Sequence, residues 1–190
     1  MKIENAGHSA AVSRATSYFS PTSAFNEMTG GITYYHFLED LARNYGEKKT
    51  EIIVKLKEVC RKLFTRDNLL ISYTANEEGF KKLDDTAASF MGALYQGGGK
   101  KYPFTRIQGN KNEGFKTSSQ VNYVARCGNF RNEGFSYTGA LKILKVMMSY
   151  DYLWINVRVK GGAYGCMSGF GRSGEGYFVS YRDPNLRETN

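Results

Sequence analysis

Arg158 and Tyr164 stand on either side of Gly161-Gly162 in the run RVKGGAYG. A guanidinium and a phenol both donate hydrogen bonds. Brought together by a glycine corner, they could grip the carbonyl oxygens of an extended peptide, or an oxyanion as its charge develops. Each also has a blander reading. Arg158 falls in the last turn of a predicted helix, where a cation meets the negative end of the helix dipole. Tyr164 alternates with Ala163 and Gly165 and could simply face a neighbouring sheet.

Other groupings carry weaker chemistry. Gly169, Gly171 and Gly174 spell GxGxxG. A dinucleotide site needs a helix after that loop, so that the helix N-terminus faces the pyrophosphate. Here EGYFVSYRDP follows and reads as a strand. A kinase-type glycine loop needs Val where Gly176 stands and a lysine on the next strand, and no lysine follows Lys160. The predicted structure is the turn of a hairpin. The histidines are His8 and His36, and His36 opens HFLED, one residue away from the H-x-x-E-H zinc motif. Asp40 replaces the second histidine, and a catalytic zinc needs three protein ligands and a water. No third ligand is evident, so an amphipathic helix is expected instead. Cys60, Cys127 and Cys166 are widely spaced and form no CxxC pair. That argues against a disulfide framework or a structural zinc site and suits a reducing compartment. Cys166 has no histidine near it in sequence and reads as a small buried side chain.

The elements that must position these residues follow from periodicity. Helices are expected over 6–19, with Ser20-Pro21-Thr22 as a break; over 32–45, ended by Gly46; from Ile52 through Leu56, Val59 and Leu63; and over 79–94. NLLISYTA (68–75) reads as a strand. Residues 96–114, with three consecutive glycines and GNKNEG, lack periodicity and read as a connection. QVNYVAR (120–126) is a second predicted strand. Thr138–Val157 is a long helix with a stripe of Leu141, Leu144, Met148, Tyr152 and Ile155. Val146, Met147, Leu153 and Trp154 are apolar too, so burial is expected. It ends at Gly161-Gly162, and a hairpin follows over 163–181. The fold class is therefore α+β, with helices packed on an antiparallel sheet.

Composition bounds the rest. At 41% hydrophobic and 23% charged, the 190 residues can build a core and belong to the ordinary globular class. The net charge of +8 favours acidic partners, but the basic residues are spread in pairs and form no tail. There is no apolar targeting segment at the start and no run of membrane-spanning length.

RVKGGAYG with SYRDPNL closely resembles the C-terminal half of the insulinase (pitrilysin) superfamily of zinc metallopeptidases, nearest to its presequence-protease and falcilysin branch. RATSYFS, NEMTGGITYYHFLEDL and NEGFKTSSQVNYVARCGNF agree with the same family in the same order. The resemblance implies an enzyme like a clamshell, each half holding two α/β domains. Residues 1–98 would be the C-terminal part of the third insulinase-like domain, 99–117 a linker, and 118–190 the N-terminal part of the fourth. It implies a fragment of an endopeptidase that degrades unstructured peptides in a closed chamber. Zinc would be bound outside the fragment, by the N-terminal half. Arg158 and Tyr164 match the family positions that bind the substrate backbone and stabilise the transition state. The chain alone is expected to be inactive, with no metal ligands of its own. Its partners would be peptide substrates and the N-terminal half, with neither nucleic acid nor membrane. Its compartment would be cytoplasmic in a bacterium and organellar in a eukaryote. The alternative is a non-catalytic basic module that binds nucleic acid or another acidic partner.

Overall fold

Strand β3 is the element on which the sheet is built. The computed structural model describes residues 3–97 and 112–190. Within it, β1 (Ala125–Asn129), β2 (Gly165–Phe170) and β3 (Glu175–Tyr181) form an antiparallel sheet in the order β1-β3-β2. The centre strand carries Phe178 and Val179, and its backbone is satisfied on both edges. The register places Ala125 opposite Val179 on one side and Met167 opposite Val179 on the other. Val179, Ser180 and Ser168 are buried. The architecture is α+β, as the order of predicted elements implies.

The chain divides into two units, Met1–Glu39 with Phe104–Asn190, and Asp40–Pro103. In the first, α1 (Ile3–Thr16) packs on β1 and β3, and α2 (Pro21–Gly30) packs on α1. Helix α6 (Ala140–Met147) continues into a π-helical segment, Met148–Lys160, and both lie on β2. The N-terminal helices thus share a unit with the sheet. In the second unit, α4 (Tyr45–Leu63) and α5 (Glu77–Ala93) are joined by a short 3₁₀ turn, Arg66–Asn68, and an irregular segment. Helix α3 (Ile32–Arg43) precedes them. A parallel bridge between Thr65 and Tyr95 draws the end of α4 to the end of α5. Most of the expected 99–117 connection lies outside the described residues; 112–117 have no regular structure.

Several expectations are corrected. Ser20-Pro21 starts a helix in place of the expected break. The Ser20 hydroxyl accepts a hydrogen bond from the Ser23 amide at 3.3 Å, and Pro21 occupies the first turn, where its missing N–H costs nothing. Gly46 lies inside α4, so the break falls at Asn44. Residues 69–76 form no strand, because no partner strand is available to them among the described residues; Leu70 is 90% exposed. The helix expected to be buried all round is covered on one side by the sheet. Leu153 is buried, while Val146, Met147, Trp154 and Ile155 are exposed.

A charge network holds the first unit together. Glu27 of α2 has 1% of its side chain exposed, a costly place for a carboxylate. Its Oε1 accepts from Arg14 Nη1 at 3.3 Å, from the Thr33 amide at 3.1 Å and from the Thr33 hydroxyl at 3.3 Å. Arg14 turns its other edge to Glu113, with Nε and Nη2 donating at 2.7 and 2.9 Å. Its guanidinium also lies over the rings of Tyr18 and Phe115. The bond to Glu113 raises the arginine further above its usual range. Gly31 completes the pocket, since a Cβ there would collide with Glu27 Oε2. Replacing Arg14 with alanine strands a buried carboxylate and is expected to cost about 3 kcal/mol or more. Urea unfolding followed by circular dichroism would read this as a lower midpoint, and an unchanged midpoint would refute the network's role.

Candidate functional site

The corner at Gly161-Gly162 brings the two sequence-predicted residues together. Gly162 has φ +80°, in the left-handed region that glycine occupies without penalty. Its amide donates to the Arg158 carbonyl at 2.9 Å, and the Ala163 amide donates to Val157 O at 3.2 Å, which closes the helix end. The segment after β3 pins the corner from outside. Asn185 Nδ2 donates to Gly161 O at 2.6 Å, and the Asn185 amide donates to Asp183 Oδ1 at 2.8 Å. Asp183 is fully buried and its backbone pairs with Asn122 in both directions. The Tyr164 amide donates to Arg182 O at 3.2 Å, and Arg182 itself has φ +48°.

On this corner Arg158 Nη1 donates to the Tyr164 carbonyl at 2.5 Å. The guanidinium carbon lies 5.5 Å from the centroid of the Tyr164 ring and 4.2 Å from that of Trp154. Tyr164 is 64% exposed. Its ring meets Tyr181 edge-on at 6.0 Å, and Tyr181 in turn meets His8 of α1 at 5.0 Å. Arg158 therefore does more than face the helix dipole, and Tyr164 does not lie in a sheet face. Together they present a cation and a phenol on one surface, both able to donate to an oxygen that is gaining charge. Trp154 and Tyr181 join them, and neither stands out in the sequence as a site residue. Trp154 precedes Arg158 by four residues, a spacing that puts two helical side chains side by side; its apolar character places it among the expected core. Tyr181 reaches the site only through the pairing of Gly165 with Tyr181.

The other motifs resolve differently. Gly171–Gly174 is the turn between β2 and β3, closed by Gly174 N donating to Gly171 O at 3.1 Å and Gly171 N donating to Glu175 O at 2.7 Å. A strand follows it, so no helix N-terminus is placed there to receive a phosphate. His36 Nδ1 lies 3.6 Å from Glu39, and Asp40 is bonded to Lys48 and Asn44. Among the described residues no group of three or more His, Cys, Asp and Glu side chains could hold a metal ion. The described residues therefore do not fit a catalytic zinc. A cavity of about 540 Å³ lies between the π-helical segment and the sheet, lined by Tyr152, Leu153, Lys160, Arg126 and Phe178 among others; Arg158 and Tyr164 are not on its wall. No described helix is long and apolar enough to cross a membrane.

Residues 112–190 match the family model described as "PreP C-terminal domain". Residues 1–41 match a second model, for a region associated with the same group of peptidases. The chain is 38% identical to "Protein HypA" of Clostridium perfringens, over 98% of this chain and 19% of that protein. It is 31% identical to "Presequence protease 1, chloroplastic/mitochondrial" of Arabidopsis thaliana, over 99% of this chain and 18% of that one. It is 30% identical to "Presequence protease, mitochondrial" of Yarrowia lipolytica, over 98% and 19%. The chain thus spans about a fifth of the length of these curated relatives.

The cysteines are poorly suited to nucleophilic chemistry. Burial pushes the Cys127 thiol up to about 12. Burial also raises Cys166, with the nearby Arg158 charge opposing it. At pH 8 a thiol with that Cys127 value is about one part in 10⁴ thiolate, and the thiolate is the reactive form. Iodoacetamide at pH 8 is therefore expected to modify the exposed Cys60 and to spare Cys127 until the protein is unfolded. Peptide mapping by mass spectrometry checks this, and equal rates at the two sites would contradict it.

Proposed function

Because the chain belongs to the presequence-protease branch of the insulinase superfamily, we propose that it is part of a zinc metalloendopeptidase that degrades unstructured peptides within a closed chamber. Its contribution is the corner, with Arg158 and Tyr164 as substrate-binding and transition-state-stabilising residues. The observation that carries this reading is the juxtaposition itself: an exposed phenol and a guanidinium set side by side on a pinned glycine turn. One guanidinium N–H is engaged by the Tyr164 carbonyl; the remaining donors and the phenol hydroxyl are available to a peptide carbonyl. As such a carbonyl is attacked, its oxygen gains negative charge, and donors already in place stabilise it without reorganising.

The zinc of this peptidase is held by the N-terminal half; when bound it supplies Lewis-acid chemistry. Residues 1–98 form the end of the third insulinase-like domain and 118–190 the start of the fourth. The partners are peptide substrates and the N-terminal half of the same protein. The compartment is cytoplasmic in a bacterium and organellar in a eukaryote. The chain by itself cleaves nothing.

The test is kinetic and uses the full-length protein. Tyr164→Phe removes one hydroxyl and is expected to lower kcat on an unstructured peptide by about 10²-fold, with melting temperature unchanged. Arg158→Ala is expected to lower kcat/KM by a similar factor. Unchanged kinetics in both variants would sink the assignment. The isolated chain, supplied with zinc and the same peptide, is expected to show no turnover; measurable cleavage would place a complete site inside it.

A further inference from the structure

We infer that Trp154 is a positioning residue for Arg158: its indole face fixes the plane of the guanidinium while leaving its positive charge unneutralised. The inference rests on the role proposed above for Arg158. The guanidinium carbon sits 4.2 Å from the Trp154 ring centroid, close enough for strong stacking. On its other side the Tyr164 ring lies at 5.5 Å, and one N–H is tied to the Tyr164 carbonyl.

An arginine side chain has many rotamers, and a half-buried one near solvent needs something to hold it. The usual device is a carboxylate in a bidentate pair, as Arg14 has with Glu113. Among the described residues Arg158 has no such ion pair, although the chain uses several elsewhere. A carboxylate would orient the guanidinium but would also cancel much of its field. An aromatic face orients it and cancels little, because the ring offers a quadrupole and no net charge. Stacking holds the guanidinium plane against the indole, so its N–H groups project past the ring edge. This also accounts for Trp154 itself. It is the only tryptophan of the chain, and it is 43% exposed on a helix whose buried contact is Leu153.

The experiment compares Trp154→Leu, Trp154→Phe, Arg158→Ala and the double variant Trp154→Leu/Arg158→Ala in the full-length protein, on one unstructured peptide. A cation–π contact at a partly exposed site corresponds to about a three- to tenfold effect. Trp154→Leu should lower kcat by about that factor with KM nearly unchanged, and Trp154→Phe, which keeps a ring face, should recover part of the loss. In the Arg158→Ala background, Trp154→Leu should change kcat by less than about twofold, since two residues acting through one group are not additive. The inference is overturned if Trp154→Leu leaves kcat intact while Arg158→Ala lowers it. It is also overturned if the two losses multiply, which would mean an independent structural or substrate-contacting role for Trp154. If Arg158→Ala itself has no effect, the role proposed for Arg158 fails and this inference falls with it.

Discussion

Burying a carboxylate without a partner is among the most expensive things a small domain can do. Glu27 is buried, and the first unit is arranged around that fact. Arg14 reaches it from α1, and Thr33 reaches it from the start of α3. Gly31 stands aside for its second oxygen. Arg14 is then shared with Glu113, nearly a hundred residues further along the chain. One ion network therefore fixes the angle between α1 and α2 and ties both to the segment that leads into β1. Because α1 also lies against β1 and β3, the network helps to set the sheet on which the corner is mounted.

From that sheet the site is reached by two short connections. The end of β3 runs into Arg182 and Asp183, whose backbones bond Tyr164 and Asn122. Asn185 then caps the helix at Gly161. The corner is consequently held by backbone and amide hydrogen bonds from a rigid sheet, rather than by the exposed side chains it displays. This division suits a binding surface, because the displayed groups remain uncommitted. His8, Tyr181 and Tyr164 form a line of ring contacts from α1 to the surface. The N-terminal helices therefore bear on the corner, although they are distant from it in sequence.

Much of the chain's apolar surface has no cover among the described residues. The outer side of α6 and the π-helical segment, and the stripe of Leu56, Val59 and Leu63 on α4, are exposed. Exposed apolar stripes of this kind are unusual on a monomer. The chain's short span relative to its relatives fits surfaces that would face other parts of a longer protein. The basic charge has no comparable focus; its lysines form local helix pairs with glutamates, as Lys62 does with Glu58 and Lys82 with Glu78.

The amphipathic helices α3, α4 and α5, the hairpin and the glycine corner are legible in the sequence, because each rests on local periodicity or on a residue that only one backbone conformation accommodates. So is the candidate pair: Arg158 and Tyr164 are only six residues apart, and the corner between them is local. The start of α2 is ambiguous in sequence because a proline marks both breaks and first turns, and only the Ser20 cap decides between them. The expected strand at 68–75 does not form because a strand exists only through its partner, which periodicity cannot supply. Trp154 reads as core because apolarity does not say which face a sheet will cover. The Arg14–Glu27–Glu113 network, the contact of Tyr181 with Tyr164 and the packing of α1 on the sheet depend on residues far apart in the chain, and only the tertiary structure decided them.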